Sequence, residues 1–367
     1  MTDHGTSGGT NGDAARLLDA AARARLAVGL ADLFLPRRLR LSEWQRETMA
    51  TLLTRLIRSI EDELRAGIAE RLEGKVRPDI QGAITSAHVE IALPILEASD
   101  ALREPALIAL LLRRVEEHRL YRAAQAHRDR RQGNLLVELV RDEDEAVAAA
   151  AMGLLTAQSR RLDRFQEPVI ATPELPAELE HRLVWTIAAA LRLYLIDRHG
   201  VDPGLADEAV SLSAATRLVD YDEGEGLDAR CLRLVRALNR LGRLDDDFVS
   251  RAIIEGGLPL FLAAIALRCE LPVDAAWDIF SDPRGQGPAL LLRGGAMARE
   301  PAVQILLAAH FDDDEAVVRQ AELFDGVSID KARTALRLWQ IDPAYRDAIA
   351  RVAPLAAPVS VGAASSA

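Results

Sequence analysis

Residues 139–155, LVRDEDEAVAAAAMGLL, and residues 310–324, HFDDDEAVVRQAELF, share a core that decides how the chain is read. Each sets four consecutive acids, Asp142 to Glu145 and Asp312 to Glu315, directly ahead of Ala-Val. Asp-Glu-Ala-Val is common to both, with an aspartate two residues earlier and an alanine four residues after the valine. Val147 and Ala151, like Val317 and Ala321, therefore fall on one helical face. The quartets could be metal sites, docking sites for something basic, or helix starts. A calcium cage wants roughly six to eight oxygens, and an EF-hand loop continues to a fixed glycine and a closing glutamate. Here an apolar helix follows at once. Aspartates that accept amide hydrogens at a helix N-terminus and complement its dipole account for what comes next. Read this way, Asp144→Ala and Asp314→Ala should each cost about 0.5–2 kcal/mol.

Looser versions occur at Glu61-Asp-Glu-Leu64, with Ile68 and Leu72 continuing the stripe, and at Ser86-Ala-His-Val89, with Leu93 next. A polar turn followed by a helix that presents valine, a small residue and leucine inward is the pattern of HEAT-like repeats. Spacing between the copies is irregular. Hydrophobic residues make up 49% of the chain and aromatics only 4%, so an Ala/Leu/Arg/Glu-rich composition supplies an aliphatic, helical core. The expected fold is all-α, an irregular HEAT-like helical repeat solenoid with a long N-terminal helix. Ser42-Glu-Trp-Gln45 is a capping box that opens this helix, and it runs to about Glu73. Met49, Leu53, Leu56, Ile60, Leu64, Ile68 and Leu72 form one stripe along it. Pro105, Pro176, Pro203, Pro301 and Pro343 sit where first helical turns would take them. Asp13 is placed to cap an earlier helix ending near Pro36. The expected divisions are a disordered tail at 1–12, an N-terminal helical segment at 13–75, a repeat domain at 76–353 and a second disordered tail at 354–367.

Several stretches also carry a resemblance. LADLFL and LSEWQRETMATLLTRLIRSIEDELRAGIAERL, then HVEIALPILEAS followed by LIALLL, are similar to the N-terminal half of a bacterial family catalogued as domain of unknown function 2336. LGRLDDDFVSRAIIEGGLPLFLAAIAL and DIFSDPRGQGPALLLRGGAMA resemble its C-terminal half. The resemblance spans about residues 15–345 and is weakest over 160–226. It implies an all-helical repeat fold and brings no known catalytic residues.

A net charge of −11 disfavours nucleic acid as a partner of the whole surface. Cys231 and Cys269 lie in apolar helical surroundings without a CxxC partner, which fits buried thiols in a reducing compartment. The N-terminal MTDHGTSGGTNGD lacks a secretory pattern, and the apolar run 256–267 is too short to span a bilayer. A cytoplasmic protein without a membrane role is expected.

The loop LVDYDEGEGLDARC (218–231) imitates a calcium loop but carries Glu225 and Cys231 where that pattern needs glycine and glutamate. The pairs Asp245-Asp246 and Asp312-Asp313 begin like the DDxxD of isoprenoid synthases, yet Val249 and Ala316 stand at the fifth position. Seven histidines give no zinc spacing. No nucleophile elbow, P-loop or dinucleotide fingerprint occurs. Neither a cofactor nor a metal is implied.

The strongest local positive charge is LLRRVEEHRLYRAAQAHRDRRQGN, with Arg113, Arg114, Arg119, Arg122, Arg128, Arg130 and Arg131. Arginine forks suit phosphate or carboxylate, while Glu116, Glu117 and Asp129 within the stretch suit a solvated mixed face. Arg119, Arg122, Arg128, Arg130 and Arg131 are the expected contacts with an anionic partner. The function expected is a non-catalytic scaffold or adaptor for an unidentified protein partner in bacterial regulation or signalling, with a homodimer through the 42–73 helix as a further partner mode. The alternative is a small-ligand sensor or enzyme, for an anion or nucleotide, using a cavity between C-terminal helices.

Overall fold

The computed structural model describes residues 40–86, 89–127, 134–171, 174–282, 285–310 and 313–352. The chain divides into two units, Met1–Arg46 and Glu47–Ala367. Both expected tails, the helix capped by Asp13, and Asp312 lie outside the described residues.

Among the described residues the regular elements are all helices, joined by turns and loops, with one isolated β-bridge between Leu162 and Pro168. The long helix α1 (Glu43–Leu72) opens on the expected capping box. The Ser42 amide donates to Gln45 Oε1 at 2.8 Å, and the Gln45 amide donates to Ser42 Oγ at 3.2 Å. The expected stripe is buried from Leu56 through Ile60, Leu64 and Ile68 to Leu72; nearer the start Leu52 takes the buried position, and the expected Met49 and Leu53 are half-buried.

Four helices follow: α2 (Pro78–Thr85), α3 (Ala92–Ala98), α4 (Pro105–His127) and α5 (Leu135–Leu139). Next come α6 (Glu145–Ser159), α7 (Ala177–Leu193), α8 (Pro203–Val219) and α9 (Leu227–Arg240). The last set is α10 (Asp246–Arg251), α11 (Leu258–Arg268), α12 (Val273–Phe280), α13 (Gly287–Gly294), α14 (Arg299–Ala309), α15 (Asp314–Gly326), α16 (Ile329–Leu336) and α17 (Pro343–Val352). Single π turns extend α7 (Tyr194–Arg198) and α10 (Ala252–Gly256).

Aspartate is the preferred starter. Asp202, Asp245 and Asp342 accept amides at the starts of α8, α10 and α17. Glu61 and Arg65 depart from the repeat pattern. They lie in mid-α1, and Glu61 caps another helix: it accepts the amides of Ile91 and Ala92, each at 3.1 Å, at the start of α3.

The core centres on α11. Every residue from Leu258 to Ala266 is buried, and a helix apolar on all sides needs neighbours on all sides. Those neighbours are α4, α9, α10 with its π turn, and α12. Phe261 meets Phe280 of α12 edge to face at 5.5 Å. α6 packs on α9, while α7 packs on α8 and on α3. Among the described residues, no helix is long and apolar enough to cross a membrane.

Candidate binding site

α4 carries the basic stretch, and its periodicity divides the arginines. Leu107, Leu111 and Val115 are buried, and the same turns bring Arg114 and His118 inward. Arg113 reaches Glu117 Oε1 with Nε at 2.9 Å, Asp228 with Nη2 at 2.8 Å and Asp274 with Nη1 at 3.0 Å. Arg114 donates from Nε to the Val169 carbonyl at 3.0 Å and from Nη2 to the Arg161 carbonyl. Arg161, just beyond α6, donates to Glu117 and pairs through Nε with Glu174 at 3.1 Å.

Glu117 thus stands among three guanidiniums. Burial alone would raise its pKa, but Arg161, Arg113 and Arg114 hold it at about 2. Burial opposes the charges on Arg113 and Arg161, yet the surrounding carboxylates raise both. Arg114 goes the other way, since burial and then the Arg161 charge bring it down to about 10. His118 is 1% exposed. Burial, then Arg114, Arg122 and Arg161, lower it to about 4, so its imidazole is neutral at pH 7.

Beside this network opens a cavity of about 120 Å³. Arg114, His118 and Tyr121 of α4, Arg161, the π-turn residues Ile253 and Ile254, and Leu258, Pro259 and Ala308 form its wall. Gly257, also in the wall, has φ 88° and ψ 161°, a region tolerated by glycine alone. This conformation lets the chain leave the π turn and restart as α11, with no side chain capping the new N-terminus.

Of the expected partner contacts, Arg122 is exposed and Arg119 pairs with Glu116 at 2.7 Å. Arg128, Arg130 and Arg131 lie outside the described residues. Arg113 and Arg114, read as part of the same basic stretch, are instead interior ion-pair partners. Sequence reading did not find Arg161, Glu174 or Asp228, whose positions depend on tertiary contacts. For Arg114 and His118 a signal existed, because they continue the Leu107–Leu111–Val115 stripe.

The acidic quartets serve as helix starts, with one correction. Asp144 caps α6, accepting the amides of Ala146 and Val147, each at 3.0 Å. Asp142 forms a two-pronged pair with Arg243 at 2.9 and 2.7 Å. In the second copy the cap is Asp313, not Asp314: Asp313 accepts the Ala316 amide at 2.8 Å, and Asp314 is already helical. In the 218–231 loop, Asp222 accepts the Gly224 amide at 2.8 Å, and the Tyr221 hydroxyl donates to the Leu175 carbonyl. Asp245 caps α10, and Asp246 pairs with Arg268 at 2.6 Å. Both thiols are buried, and burial raises them, Cys269 to about 12. Among the described residues, no three His, Cys, Asp or Glu side chains converge as metal ligands.

Residues 91–337, more than half of the chain, match the family described as "Uncharacterised protein conserved in bacteria (DUF2336)". The chain belongs to this family. The match runs through 160–226, where the quoted motifs are weakest, and so includes α7, α8 and both walls of the cavity. No curated protein and no solved structure matches the chain.

Proposed function

We propose that this family member is a non-catalytic helical-repeat scaffold or adaptor for protein–protein interaction, working in the cytoplasm in bacterial regulation or signalling. The observation that supports the reading is the order of packing from α12 to α16. α12 packs on α13, α13 on α14 and α15, α14 on α15, and α13 again on α16. Of these, α12–α13, α13–α14 and α14–α15 join chain neighbours, as the helices of HEAT-like repeats do, while α13–α15 and α13–α16 reach one or two helices further along. The enclosed α11 has no counterpart in a plain array, and the proposed repeat-like part is the segment after it. The solvent-facing end of α4, with Arg119 and Arg122 and the adjoining Arg128, Arg130 and Arg131, is the proposed contact for an anionic partner surface. A homodimer through the 42–73 helix would use a face other than the stripe, because Leu56, Ile60, Leu64, Ile68 and Leu72 are already buried.

Affinity capture from the native cell, read by mass spectrometry, tests the reading. One dominant protein partner is expected, released by salt and lost on the charge reversals Arg128→Glu and Arg130→Glu. An unchanged set of partners refutes the contact assignment, and the absence of any specific partner refutes the scaffold.

A further inference from the structure

The cavity beside the α4 network has two walls of opposite character. Ile253, Leu258, Pro259 and Ala308 make one apolar. Arg114, Arg161 and His118 make the other, each at least nine-tenths buried. Each guanidinium commits Nε and Nη2 to internal acceptors. Among the described residues, nothing accepts a hydrogen bond from Nη1 of Arg161, and Nη1 of Arg114 has only Glu117, at 3.7 Å. The two acids of the cavity are already neutralised. Glu117 sits among three arginines, and Glu255 takes Arg251 at 3.0 and 2.9 Å. The N-terminus of α11, uncapped by any side chain, adds the positive end of a helix dipole. After burial, the Arg161 charge lowers Arg114, and Arg114, Arg122 and Arg161 lower His118, so the field at these two groups is positive, while Glu117 and Glu174 hold Arg161 in the opposite field.

We infer that this cavity binds a small organic anion, with one carboxylate or phosphate group held by Arg114 and Arg161 and an apolar body against Ile253, Leu258, Pro259 and Ala308. The volume of about 120 Å³ is somewhat below the roughly 150 Å³ that holds benzene, so the cavity seats a head group and roughly the first few carbons of a chain, with the remainder running out along the apolar wall. Glu117 keeps the arginines charged and fixed before a ligand arrives, and desolvation strengthens their pairing with an incoming anion. An inorganic ion alone would leave the apolar wall uncovered.

The test is calorimetric titration of the full chain with octanoate, octyl phosphate, octylamine and octanol. Octanoate or octyl phosphate should bind at least tenfold more tightly than octylamine and octanol, and the tighter of the two anions identifies the head group. Ala308→Leu, which fills the apolar wall, and Arg161→Gln, which removes one fork, should each weaken the anion at least tenfold, with helicity retained by circular dichroism. If either variant fails to fold, the head-group series on the natural chain decides by itself. Equal binding of octanol or octylamine, no binding of either anion, or anion binding that survives Ala308→Leu in a folded chain overturns the assignment.

Discussion

Glu61 sits in the middle of α1, 3% exposed, with both oxygens engaged. Oε1 accepts from the Ile91 amide at 3.1 Å and from Arg65 at 3.2 Å, and Oε2 accepts from the Ala92 amide at 3.1 Å. Arg65, equally buried, also donates to the carbonyls of Ile84 at 2.7 Å, Val89 at 2.8 Å, Ala83 at 3.3 Å and Ser86. Glu61→Ala therefore strands two amides at the start of α3 and removes the counter-charge from an interior guanidinium. Removing one partner of a buried pair costs about 3–5 kcal/mol. The four carbonyls left to Arg65 keep the expected loss at the lower end of that range. Glu61→Gln retains an acceptor for one amide and should cost less, about 1–2 kcal/mol. Urea unfolding followed by circular dichroism measures both losses, and hydrogen exchange at the Ile91 and Ala92 amides locates them. A Glu61→Ala chain within about 0.5 kcal/mol of the natural one, or one whose exchange rises elsewhere but not at those amides, would refute the reasoning.

Three further outcomes follow from the same structure. Asp144→Ala and Asp313→Ala should each cost about 0.5–2 kcal/mol in urea, whereas Asp314→Ala should cost less than either; equal losses at 313 and 314 would contradict the cap assignment. Gly287→Ala should destabilise by several kcal/mol, roughly the scale of core overpacking or more, because an added Cβ would lie 1.6 Å from the Ile279 carbonyl oxygen. Gly82→Ala in α2 meets no atom within 4 Å and should stabilise by about 0.5–1 kcal/mol, and thermal melts of the two variants should move in opposite directions. Acid should weaken the fold in two stages. His118, lowered by burial to about 4, binds its proton more readily when unfolded, so its contribution is lost as pH falls from about 6.5 to about 4. Glu117, held at about 2, gives up its contribution as pH falls from about 4.5 to about 2. His118 should contribute a slope of up to about 1.4 kcal/mol per pH unit in the upper window, and His118→Gln should remove that share while leaving the one that His310, also lowered by burial, contributes.

Local chemistry was readable from the sequence because it is settled within one turn. The Ser42–Gln45 capping box, the α1 stripe and the role of Asp144 depend on residues three or four apart. The second quartet shows the limit: identical Asp-Glu-Ala-Val segments begin their helices one residue apart. The sequence pattern puts Glu61 at the start of a repeat, yet the amides it caps are 30 and 31 residues away. Composition makes Arg113 and Arg114 members of a solvated, mixed-charge face. Their neighbours Asp228, Asp274 and Arg161 come from distant segments, and no local rule brings those together. The cavity likewise depends on the meeting of α4, the π turn and α14, so spacing alone does not reveal it.

The enclosure of α11 bears on synthesis. Its walls come from both sides of it in the chain: α4 and α9 precede it, while Phe280 of α12 follows. A nascent chain that has emerged only as far as Arg268 would present the apolar run 258–266 to solvent with its later cover missing. During that interval the segment is a target for chaperones and a hazard for aggregation. Stability of the finished fold offers no protection then. The interval closes only when α12 has emerged and folded over it.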